Sequence, residues 1–269
     1  MKFLYTQKKL ETLELTIKYT SFKLFAINDN DKYQFKLKEL SIVDLNDGIS
    51  GFDEDNLKDF LLTQDSVEKL MIAGTFSEDI YEIFLVMFEN VKTLRVRIFL
   101  FPRNLKKIKV NKNVTKLFID GRDDDTDQFS QFLSIFPNVT DISFLHEIPF
   151  ETLFCLPKLC NSLTSLSLYS LLPGNHRNVK FLALKKFHLE LFDGGNDWRD
   201  LVISNPTIES LSFKKMSKWI LCRSFKADKL IKVCELLPNL KRLILDGDMV
   251  DKWILFQNMK KSIELSLIF

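Results

Sequence analysis

An apolar-x-x-apolar-x-apolar pattern returns along the whole chain at a nearly constant interval, and a fixed-period apolar repeat is the signature of a solenoid. It opens with Leu10/Leu13/Leu15. Clear copies follow at Leu37/Leu40/Ile42, Val67/Leu70/Ile72, Val91/Leu94/Val96, Val114/Leu117/Ile119, Val139/Ile142/Phe144, Leu163/Leu166/Leu168, Ile208/Leu211/Phe213 and Leu240/Leu243/Leu245. Leu184/Phe187/Leu189 and Ser262/Leu265/Leu267 are weaker copies. The central positions run from 13 to 265 in ten intervals, so the mean period is about 25 residues.

Alternation at the last two apolar positions is the period of a strand with one face buried. Between copies the spacing turns helical. Ser77 is placed to cap a helix carrying Ile80, Ile83, Phe84, Met87 and Phe88, and Thr126 to cap one carrying Phe129, Phe132, Leu133 and Phe136. A third runs through Leu230, Ile231, Cys234 and Leu237. Each repeat is thus a short strand plus a helix or turn, which cannot bury both faces alone and needs stacked neighbours.

The return into each strand has its own residues: Asn90-Val91, Asn113-Val114, Phe136-Pro137-Asn138-Val139, Asn205-Pro206-Thr207-Ile208 and Leu237-Pro238-Asn239-Leu240. Proline stops a helix, and asparagine tolerates the backbone angles that reverse the chain. Residues 237–245 (LPNLKRLIL) and 136–144 (FPNVTDISF) resemble the cysteine-containing leucine-rich repeat typical of F-box/LRR proteins, with Leu237 or Phe136 in the cysteine's place. The echo of Phe3–Gln7 in Phe60–Gln64 is similar to divergent arthropod members.

This resemblance implies an α/β leucine-rich-repeat solenoid, a horseshoe of about 11 repeats forming a single domain over residues 1–269, with a parallel concave sheet and convex helices or turns. It also implies a protein-protein interaction module: the substrate-recognition part of an F-box-like ubiquitin-ligase receptor, which would carry its bound protein to a Skp1–cullin assembly. The helical F-box expected before the repeats has no room ahead of Leu10, so an F-box-less relative or a piece of a longer protein is expected. The alternative is a non-catalytic structural subunit of a larger assembly, favoured by the apolar Met1–Gln7 and Leu267–Phe269.

Composition narrows the function classes. A net charge of +2 argues against wholesale attraction to nucleic acid. Cys155, Cys160, Cys222 and Cys234 lack both the Cys-x-x-Cys spacing and the clustered caps of secreted repeats, which points to reduced thiols in the cytoplasm or nucleus. With no signal-length apolar start and no run near 18 apolar residues, no membrane partner is expected. Twenty-five phenylalanines at repeat positions are expected to pack the interior.

Nothing assembles a catalytic set. His146, His176 and His188 have no second ligand at helical spacing, and no phosphate loop, nucleophile elbow or zinc helix is present, so neither an enzyme nor a cofactor is expected. The acidic run Arg122–Asp127 reads as a capping loop, as does Asp53–Asp55, and Lys106–Lys112 as a solvated face. The sequons at Asn113 and Asn138 fall in the turns.

The strand residues flanking the buried pair face the other way and supply a candidate binding surface. Lys69, Arg95, Arg97 and Lys116 are expected to form a basic ridge, with Met71 and Phe118 within reach and Leu145 and Tyr169 as a smaller apolar patch on the next strands. Arginine beside exposed aromatics is the composition of interface hot spots, so a protein partner with an acidic segment is expected to dock there.

Overall fold

The computed structural model describes residues 7–17, 33–44, 54–74, 76–87, 89–97, 109–121, 126–170, 179–190, 197–214, 227–246 and 262–268. It is an α/β fold in which every described strand pairing is parallel and joins consecutive strands. Two compact units are present: residues 1–121 with 127–138, and residues 122–126 with 139–269.

The first unit carries β1 (Thr12–Ile17), β2 (Glu39–Asp44), β3 (Lys69–Ala73), β4 (Thr93–Arg97) and β5 (Lys116–Asp120). Its register aligns Leu13, Leu40, Leu70, Leu94 and Leu117 in one row and Leu15, Ile42, Ile72, Val96 and Ile119 in the next. From β2 to β5 both rows are buried, while Leu15 is half-buried. Helix α1 (Glu54–Leu62) buries Leu57, Phe60 and Leu61.

Ser77 caps α2 (Glu78–Glu82), its hydroxyl accepting from the Ile80 amide, and Ile80, Ile83 and Phe84 are buried as their spacing predicts. The single helix expected there instead changes to a π-helical turn over Ile83–Met87; Phe88 and the Met87 side chain lie outside the described residues. Helix α3 (Thr126–Ser134) includes Thr126 as its first residue rather than placing it ahead of the helix as a cap. Phe129, Phe132, Leu133 and Phe136 are buried.

The second unit holds β6 (Asp141–Phe144), β7 (Ser165–Leu168), β8 (Lys186–Leu189), β9 (Ser210–Phe213), β10 (Arg242–Asp246) and β11 (Glu264–Ile268). Ile142, Leu166, Phe187, Leu211 and Leu243 form its inner row and are all buried, whereas Leu265 in β11 is half-buried. Helices α4 (Phe150–Leu159), α5 (Asp197–Ile203) and α6 (Ala227–Glu235) lie between strands. In α6 Leu230, Val233 and Cys234 are buried, as is Leu237 just beyond it. Of the expected face Leu230, Cys234 and Leu237 hold, while Ile231 is only half-buried and Val233 takes its place, three residues bringing the helix back to the same face. Phenylalanine packs the interior as expected: Phe35, Phe60, Phe84, Phe129, Phe132, Phe136, Phe144, Phe187 and Phe213 are all at most 2% exposed.

Candidate functional site

Strand alternation turns one side of each inner row away from the core, and in the first unit the register sorts those residues into rows. Lys69, Thr93 and Lys116 stand side by side, as do Met71, Arg95 and Phe118. Arg97 lies opposite Asp120. All six residues expected on this side of the first unit are therefore brought onto adjacent strands, about 4.8 Å apart. Met71, Arg95, Arg97 and Phe118 are half-buried; Lys69 and Lys116 are exposed.

The ridge is less bare than its lysines and arginines suggest. Lys69 donates to Glu39 on the preceding strand. Arg95 reaches the Asp120 carboxylate with one Nη at 3.4 Å, and that carboxylate is only 11% exposed. The Arg95 Nε is buried without a hydrogen-bond partner among the described residues. Two carboxylates thus lie among four cations, and what remains is a partly neutralised strip around an apolar pair.

Leu145 and Tyr169 belong to the second unit, each two residues beyond the paired Ser143 and Ser167 of β6 and β7. Tyr169 is tilted at 42° against His146, centroids 6.1 Å apart. The outward row of this unit differs in kind: Ser143, Ser167, His188, Ser212, Ile244 and Ser266 follow one another across the strands. His188 Nδ1 and the Ser212 hydroxyl are 2.9 Å apart, and burial holds the imidazole below its ordinary value.

The residue just before each strand forms a second pattern. Its carbonyl accepts from two successive amides of the next repeat, as Glu11 does from Lys38 and Glu39, Lys38 from Glu68 and Lys69, and Glu209 from Lys241 and Arg242. Charge alternates along this position, Glu11, Lys38, Glu68, Lys92 in the first unit and Lys185, Glu209, Lys241 in the second. Ion pairs follow: Lys38–Glu11 at 2.8 Å, Lys92–Glu68 at 3.3 Å, and Glu209 between Lys185 at 3.4 Å and Lys241 at 2.7 Å. The charges of this rim are paired with one another within the chain.

Buried amides are the feature that sequence reasoning missed. Five residues before a strand, where the cysteine of the resembled repeat would stand, the chain places an apolar residue (Phe136, Cys160, Phe181, Leu237) or an amide (Gln7, Gln34, Gln64, Asn111, Asn205), and of the amides Gln64, Asn111 and Asn205 are buried. The three buried amides bond backbone of the preceding repeat. Gln64 Oε1 accepts from the Leu37 amide at 2.9 Å, Asn111 donates to the Leu85 carbonyl at 2.9 Å, and Asn205 donates to the Val179 carbonyl at 2.9 Å and accepts from the Phe181 amide at 2.7 Å. A fixed offset from the strand was the available signal.

The turn asparagines act similarly: Asn90, Asn138 and Asn239 donate to the Asp65, Lys112 and Pro206 carbonyls. Their side chains tie neighbouring turns together, a role beyond the backbone tolerance expected of them. Both sequon asparagines are exposed, and the Asn138 amide is engaged with the Lys112 carbonyl.

Among the other expected features, Cys155, Cys160 and Cys234 form no disulfide among the described residues, and burial pushes the Cys160 thiol up to about 12. Cys222, His176, residues 122–125, Asp53 and Lys106–Lys107 lie outside the described residues. Among the described residues no cluster could hold a metal ion, and no helix is long and apolar enough to cross a membrane. No protein-family model matches the chain, and no curated protein matches it at a significant level.

Proposed function

We propose that this chain is a leucine-rich-repeat recognition module whose parallel strands line the concave side of a horseshoe and hold a protein partner through the first unit's outward rows. The observation that carries this is the register: Met71, Arg95 and Phe118 share one row, with Lys69 and Lys116 in the row beside it and Arg97 beyond. Two apolar side chains around an arginine, ringed by cations that exceed the local carboxylates, suit a partner segment with acidic residues. In the reading favoured by the resemblance, the bound protein is a ubiquitin-ligase substrate presented to Skp1 and cullin.

Affinity purification of the chain from native cells, followed by mass spectrometry, is the test. Recovery of Skp1 and cullin with the partner supports the ligase receptor; one stoichiometric companion without them supports a structural subunit. In purified form, Arg95→Glu with Arg97→Glu is expected to weaken partner affinity at least about tenfold, since reversing interface charge juxtaposes like charges. Unchanged affinity would remove the site from these strands.

A further inference from the structure

Asp120 changes what Arg95 can offer to a ligand. The arginine already faces a nearly buried carboxylate through Nη at 3.4 Å, and its Nε is shielded from solvent, so the inner edge of the guanidinium is committed to the sheet. Yet the side chain is 43% exposed. What reaches solvent is the remainder of a planar cation that already has one carboxylate within reach. A second carboxylate would compete with Asp120 for it. An aromatic ring would not, because it is drawn to the flat face of a weakly hydrated guanidinium.

The neighbours in the row favour the same occupant. Met71 on β3 and Phe118 on β5 flank Arg95 on β4, both half-buried, in direct register. A thioether takes a ring edge, and a phenyl takes another ring edge-to-face or offset. Two strand spacings of about 4.8 Å separate the outer pair, so the three side chains span roughly 10 Å, the width of one large aromatic side chain with its contacts. Among the described residues no other ring is paired with Phe118.

We infer that the residue by which a partner protein anchors on this face is aromatic, its ring seated on Met71, Arg95 and Phe118, with acidic neighbours reaching Lys116 and Arg97. This rests on the recognition reading above and adds the chemistry of the anchor.

The test uses the full chain with methionine methyls labelled with carbon-13, the Met71 signal being assigned by its loss in Met71→Leu. N-acetyl-tryptophanamide is titrated in, beside N-acetyl-leucinamide and N-acetyl-aspartate. The expected result is a saturable upfield shift of the Met71 methyl with the tryptophan probe alone, as ring currents dictate. Phe118→Ala and Arg95→Lys should each weaken it about fivefold, a loss typical of one ring or guanidinium contact. Arg95→Lys keeps the charge opposite Asp120 and removes only the planar face. An equal response to the leucine probe, a response to aspartate in place of tryptophan, or no shift overturns the aromatic anchor.

The two readings fail separately. If the native partner is lost with Arg95→Glu and Arg97→Glu while the tryptophan probe leaves Met71 unmoved, recognition stands and the aromatic anchor falls. If the probe binds as described and the double variant holds its partner undiminished, the ring site stands and partner recognition lies elsewhere.

Discussion

Asn205 shows how much a single side chain contributes between repeats. It is 1% exposed, and its amide donates to the Val179 and Leu201 carbonyls while its oxygen accepts from the Phe181 amide. Asn205→Ala leaves those backbone groups buried without partners, a loss of about 3 kcal/mol of unfolding free energy that denaturant titration would measure. Asn205→Asp is expected to do no better, because a carboxylate cannot donate to two carbonyls. At the same scale Gly74 leaves room that no larger residue could use, since an added Cβ would stand 2.6 Å from the Asp44 Cβ. Neither role is legible in sequence. Asn205 sits in an Asn-Pro-Thr-Ile turn whose signal is chain reversal, and only the stacked repeats reveal which carbonyls its amide meets.

Between elements, the charge ladder on the residue before each strand adds directional preference to the stacking. Glu209 is the clearest member, its carboxyl held below the usual range by the hydrogen bond from Lys241, then by the charges of Lys241 and Lys185. A carboxyl lowered on folding contributes stability above its unfolded value of 4.5, and that contribution is lost as pH falls through the folded value. The native chain is therefore expected to be slightly more stable than Glu209→Gln at pH 7, with the gap closing in acid below 4.5 and shrinking as salt is added. Denaturation midpoints at two pH values and two ionic strengths would show it. A gap independent of both would mean the ladder contributes nothing by charge. The alternation was visible in the sequence only after the strands were aligned, because the spacing between members varies with each connection.

At the scale of the molecule, stability is carried by rows of apolar side chains that run from strand to strand within each unit. Leu94 is 1% exposed between Leu70 and Leu117, so Leu94→Ala is expected to cost about 3 kcal/mol through lost burial and the cavity left behind. Because a repeat contacts chiefly its neighbours, hydrogen exchange should show protection lost first in β3, β4 and β5. Uniform loss over β8 to β10 as well would contradict nearest-neighbour stability. The sequence by itself determined the strands, their inner and outer faces and their order, because a period-2 pattern inside a repeat leaves one burial solution per unit. It also named Lys69, Met71, Arg95, Arg97, Lys116 and Phe118 as outward-facing. Tertiary structure alone decided that Glu39 meets Lys69 and that Asp120 meets Arg95. The physical reason is that the apolar repeat fixes which positions stand side by side, while which charged side chains reach one another depends on their rotamers and burial on the assembled sheet, which the repeat does not encode.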